Sequence, residues 1–75
     1  MCQLSVSLDH ARLMLGLKGQ HLGLVREAKL DTCSGAVTEL VLETRWQLIE
    51  VPWSRVAFDE HEDVFKMKDR RYDGH

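Results

Sequence analysis

From Cys2 to Asp9 the chain alternates without a break: Cys2, Leu4, Val6 and Leu8 fall on one side, Gln3, Ser5, Ser7 and Asp9 on the other. Only an extended backbone, whose side chains repeat every second residue, sorts them this way, so the segment predicts a half-buried strand. Ala11 to Leu17 predicts a second strand, closed by Lys18-Gly19, where glycine accepts the positive φ of a tight turn. Gln20 to Asp31 returns as a hairpin partner, with Leu22, Leu24, Ala28 and Leu30 on one face and His21, Gly23, Val25, Glu27 and Lys29 on the other. Arg26 interrupts the apolar side, which places a bulge there.

Asp31-Thr32-Cys33-Ser34-Gly35 has turn chemistry, since Asp and Ser bond nearby amides and Gly35 closes the turn in the left-handed region. Ala36 to Thr44 follows, with Leu40 and Leu42 opposite Val37 and Val41. Two readings stand over residues 37–50. A pair of strands fits the flanking turn and the Val and Thr content, whereas Val37, Leu40, Val41 and Leu48 also fit a helical period. Pro52 ends the segment Arg45 to Val51, because it lacks a ladder donor, and opens one short helical turn at Trp53, Ser54 and Arg55. Val56 to Phe58 and Val64 to Met67 predict two last strands around the acidic stretch Asp59 to Asp63, and residues 69–75 read as a solvated tail.

About six short strands with regular turns indicate an all-β protein. In 75 residues there is room for one domain only. The expected architecture is a small closed or partly open antiparallel β-barrel, because closure removes the edges that would otherwise pair with other chains. The barrel core is expected over residues 12–68, residues 1–9 add an N-terminal strand, and 69–75 form a flexible tail.

Charge and composition narrow the function. Ten Lys and Arg against twelve Asp and Glu give a net charge of −2, which does not favour a nucleic-acid binder. Two Trp, two Phe and one Tyr suit a thin aliphatic core better than a cofactor cavity, so no cofactor is expected. Leu13-Met14-Leu15 is too short and too closely flanked by charge to be a signal core or a membrane span. Cys2 and Cys33, far apart and without paired spacing, read as free thiols in a reducing, cytoplasmic setting.

Gly19-Gln20-His21-Leu22-Gly23-Leu24-Val25, then Ala28-Lys29-Leu30-Asp31, Gly35-Ala36-Val37, Leu40-Val41-Leu42 and Val51-Pro52-Trp53-Ser54-Arg55-Val56 form an ordered series. Over roughly residues 12–68 this series resembles a PRC-barrel domain. Such domains occur in the cytoplasmic part of the photosynthetic reaction-centre H subunit, in a ribosome maturation factor and as short stand-alone proteins. The resemblance implies a binding module and no enzyme. An alternative implication is a ribosome- or RNA-associated module like the maturation-factor barrel, with Lys66, Lys68, Arg70 and Arg71 near Tyr72 as contacts to an anionic partner.

Catalytic chemistry finds little support in the spacing. Asp59-Glu60-His61-Glu62-Asp63 offers metal-ligand types, yet neighbours on an extended chain point opposite ways and no zinc or calcium spacing accompanies them, so a solvated turn is expected. Cys2, Cys33, Ser5, Ser7, Ser34 and Ser54 lack any nucleophile motif. Gly16, Gly19 and Gly23 lack the strand, turn and helix order of a phosphate loop.

The remaining signal is that several strands carry apolar residues on both faces. Val25 lies opposite Leu24, Val41 opposite Leu40 and Leu42, and Ile49 opposite Leu48. A barrel has only one inside, so the second face is expected to meet another protein or a second copy of the chain. The candidate interface is Leu4, Val6, Leu8, Val25, Val41 and Ile49, and the expected assembly is a homodimer that serves as a protein-binding adaptor.

Overall fold

The structure is a computed structural model that describes residues 2–68. It is all-β: six strands form one curled sheet, a half-barrel, and the helical content is one 3-10 turn. In chain order the strands are β1 (Gln3–Leu15), β2 (His21–Asp31), β3 (Ala36–Glu43), β4 (Leu48–Pro52), β5 (Val56–Asp59) and β6 (Val64–Met67), with the 3-10 turn Trp53–Arg55 between β4 and β5. The helical alternative over residues 37–50 is thereby set aside. The expected tail, including Arg70 and Arg71, lies outside the described residues.

The sheet order is β4-β3-β2-β1-β6-β5, so consecutive strands β4 and β5 sit at opposite edges. Laid flat, six strands would hold those edges roughly 24 Å apart. The chain crosses from Pro52 to Val56 through three residues, which span at most about 14 Å. The sheet must therefore curl, and the backbone N–H of Lys68 donates to the carbonyl of Arg55 at 2.8 Å, which extends the β5–β6 ladder to the end of the 3-10 turn. One expectation needs correction: the ladder is not wholly antiparallel, because β1 and β6 pair in parallel at Met14–Phe65 and Leu15–Lys66.

The two strands expected over residues 2–9 and 11–17 are one. β1 runs for 13 residues and pairs with β2 on both sides of an irregularity: Ser7 faces Glu27 and Arg12 faces Val25, so Leu8, Asp9, His10 and Ala11 stand against Arg26 alone. Polar bonds hold the excursion. The Asp9 carboxylate accepts the backbone N–H of His10 at 3.0 Å and a guanidinium N–H of Arg12 at 2.9 Å. Arg26 is also the extra residue between β2 and β3, where Val25 pairs with Leu42 and Glu27 with Val41, so the bulge expected there is present.

That bulge changes the side-chain phase of β2. Val25 turns inward with 0% exposure, and Ala28, on the other side of Arg26, is inward too, whereas Leu24 pairs with exposed Glu43 on the outer face. The single face proposed for Leu24 and Ala28 is thus split. Cross-strand pairing lines Val6, Ala28, Leu40 and Val51 into one inner row, the unit by which such sheets bury area. Met14, Leu42, Val56, Phe65 and Met67 complete the buried core.

The turns follow their chemistry. Gly19 and Gly35 take φ of +82° and +76°, as the tight turns require. In the second turn Asp31 Oδ1 accepts the N–H of Cys33 at 2.9 Å, and the carbonyl of Asp31 accepts the N–H of Gly35 at 2.6 Å.

Candidate interaction surface

The N-terminal half of β1 is an open stretch inside the sheet. β6 pairs with β1 only at Met14 and Leu15, so among the described residues no strand occupies the second edge of residues 3–8. Farther along, the β5–β6 turn closes in: His10 Nε2 lies 3.0 Å from Asp63 Oδ2, and Arg12 Nε donates to Asp63 Oδ1 at 2.8 Å. Leu4 on this edge is 52% exposed, while Val6 and Leu8 are half-buried and pack against the core. These three candidate residues are brought together on one side of one strand.

The other three are not. Val25 is fully buried, and Ile49, paired with Leu42, packs against the core, so neither belongs to an outer contact. The physical reason for Val25 is the bulge phase at Arg26. Val41 does lie on the outer face, but its partners there are Glu27 and Glu50, and Lys29 forms an ion pair with Glu50 beside it. This part of the second face is charged rather than apolar.

The outer face carries its apolar residues elsewhere. Leu13, Leu24, Glu43 and Leu48 form one cross-strand row, in which Leu48 is 66% exposed. Next to it, Trp46 is 85% exposed on the β3–β4 turn. Thr44 fixes that turn: its hydroxyl accepts the N–H of Trp46 at 3.2 Å and of Gln47 at 3.1 Å. The sequence signal for it was a tryptophan inside a polar turn, Thr44-Arg45-Trp46-Gln47.

Of the basic candidates, Lys66 and Lys68 lie among the described residues. Lys66 Nζ sits 2.9 Å from Asp59 and 3.2 Å from Glu62, which neutralise it locally, and Lys68 is exposed at the end of β6. The Lys66 ammonium, with the backbone N–H groups of Glu62 and His61 that Asp59 accepts, holds the Asp59 carboxyl down from 3.8 to about 2. The Asp63 carboxyl is held below its ordinary value by Arg12 first and His10 second. Asp63 adopts φ of 59°, a left-handed conformation that Asp tolerates better than most residues. The acidic stretch is thus a turn in which the carboxylates of Asp59, Glu62 and Asp63 are held by hydrogen bonds or ion pairs.

The expectation of free thiols is corrected: Cys2 and Cys33 form a disulfide. The β1–β2 register explains it. Gln3 pairs with Asp31, so Cys2 continues the ladder beside the turn, where its carbonyl accepts the N–H of Thr32 at 2.7 Å. The pairing removes the argument from free thiols to a reducing compartment. Asp31 joins the two sulfurs in a group whose ligand atoms lie within 4.8 Å of one another, and Cys2, Gln3, Asp31 and Thr38 line a shallow open depression there. Joined sulfurs carry no thiolate, the form that binds metal or attacks a substrate. No helix of the described residues is long and apolar enough to cross a membrane. No family model matches the chain, and no curated protein matches it.

Proposed function

We propose that this chain is a non-enzymatic protein-interaction module that works as a homodimer and binds through the N-terminal half of β1. The observation that carries this reading is the uncovered sheet edge at residues 3–8, whose apolar side holds Leu4, Val6 and Leu8. An open strand edge is a row of backbone donors and acceptors ready to pair with another chain. A curled sheet of this size also gains stability from covering that edge. The resemblance to PRC-barrel domains favours the same class of function.

The potential acid–base and nucleophilic groups support the non-enzymatic reading. Asp59 and Asp63 are engaged by Lys66 and Arg12, and both thiols are consumed by their bond. A general acid or base works best with a pKa near the operating pH, and these carboxyls are shifted the other way. Sedimentation equilibrium of the full chain across the micromolar range tests the proposal. A reversible monomer–dimer equilibrium is the expected result, and a monomer at every concentration overturns it.

A further inference from the structure

The edge also specifies how two copies would meet. Resting on the homodimer reading above, we propose that β1 pairs antiparallel with β1 of a second copy about a two-fold axis at Val6, which joins two half-barrels through a continuous sheet.

Three features of the edges favour β1. β4 is five residues long and ends in Pro52, and β5 is four residues long and ends in Asp59; short length, proline and charge are the usual protections against edge pairing. Gln3 to Leu8 has none of them: Gln3, Leu4, Ser5, Val6, Ser7 and Leu8 include no charge and no proline. β6 runs parallel to β1 and away from residues 3–8, so the strand next in the sheet does not turn back to cover them.

Side-chain phase then selects the register. In an antiparallel pair the opposed residues share a face, so the two-fold axis must lie on a residue and not between two. An axis at Val6 sets Val6 against Val6, Leu4 against Leu8 in both directions, and Ser5 against Ser7 on the other face. All three apolar residues then meet apolar partners. An axis at Ser5 would set Leu8 against Cys2, which lies outside β1, and Ser7 against Gln3. An axis at Ser7 would set Leu4 against His10, a residue already held by Asp63. The Val6 axis is the register in which the edge is complementary to itself.

Ser5 and Ser7 are exposed and allow a test that spares the core. In the proposed register Ser5 of one copy faces Ser7 of the other twice per dimer. The S5E/S7E variant sets Glu against Glu at both places and should weaken the dimer roughly tenfold relative to S5E/S7K, which sets Glu against Lys. S5E alone faces an unchanged serine and should stay close to wild type. An axis at Ser5 would instead oppose the two introduced carboxylates at that position in S5E and in S5E/S7K, and would break both dimers. Sedimentation equilibrium gives the dissociation constants, and circular dichroism with thermal melting shows that each variant is folded. Equal affinities for S5E/S7E and S5E/S7K in a wild-type dimer would overturn the register and leave the homodimer standing. A monomeric wild type would remove both.

Discussion

Cys2 and Cys33, 31 positions apart in the chain, stand with their Cα atoms 5.7 Å apart and their sulfurs bonded, closing the end of the β1–β2 ladder. The bond joins the first described residue to the β2–β3 turn, and so ties down the strand end that would otherwise fray. Under the chain-entropy account a loop of this length contributes about 2–4 kcal/mol, less whatever order the reduced end keeps. Urea unfolding with and without a reducing agent should show a lower midpoint in the reduced protein, and Cys33→Ser should reproduce it. Identical midpoints would mean that the native chain does not rely on the bond.

Gly23 lies directly against the β3 backbone at Glu43. A Cβ at this position would fall inside the carbonyl oxygen of Glu43 and press on the Leu42 side chain. Backbone cannot yield as a side chain does, so Gly23→Ala should destabilise the protein by about 1–3 kcal/mol. Gly19→Ala meets no neighbouring atom and tests only the positive φ, so its thermal midpoint should fall by less.

How far the residues reveal the fold depends on whether the period of two survives. It survives from Glu39 to Glu43 and through β4, where Leu40 and Leu42 pair with Val51 and Ile49 on the inner face, but not across Thr38, which the register with β2 skips and beyond which Val37 also packs against the core. It fails across Arg26. A bulge can be located from a charged residue on an apolar stripe, but the phase change it causes depends on the partner strands, and so Val25 reads as outer when it is buried. The long β1 escapes recognition for the same reason, since Asp9 and His10 look like a break and are bridged by contacts to residues 12 and 63. The disulfide and the parallel β1–β6 pair are long-range events that local spacing does not encode. Leu4, Val6 and Leu8 were legible as a candidate surface because they lie on the stretch with unbroken alternation.

Asp59 gives the protein a defined acid dependence. Its carboxyl is lowered from 3.8 to about 2 by the Lys66 ammonium and by the N–H groups of Glu62 and His61. A depressed folded value means that the native state favours the ionised form, so the contribution is fully present above pH 3.8 and is lost as the pH falls through about 2. Asp59→Asn should therefore lower the thermal midpoint at neutral pH, and the difference from wild type should shrink between pH 4 and 2. A difference that stays constant over that window would show that Asp59 titrates normally.

Arg12 is the hub that holds the β5–β6 turn against β1. Its guanidinium donates to Asp63 at 2.8 Å and to Asp9 at 2.9 Å, and it lies 5.8 Å from the centroid of the Phe58 ring. The forked, planar group is suited to reach two carboxylates and a ring face at once, which a lysine ammonium is not. Arg12→Lys should therefore lower the thermal midpoint although the charge is kept. Asp63→Asn tests the other partner: it preserves tolerance of the left-handed backbone and a hydrogen-bond acceptor but loses the charge, whereas Asp63→Ala loses all three. The midpoints should fall in the order wild type, Asp63→Asn, Asp63→Ala, and hydrogen exchange at Val64 and Phe65 should rise in the same order. An alanine variant as stable as the asparagine one would place the turn's stability in the β5–β6 ladder and not in its link to Arg12.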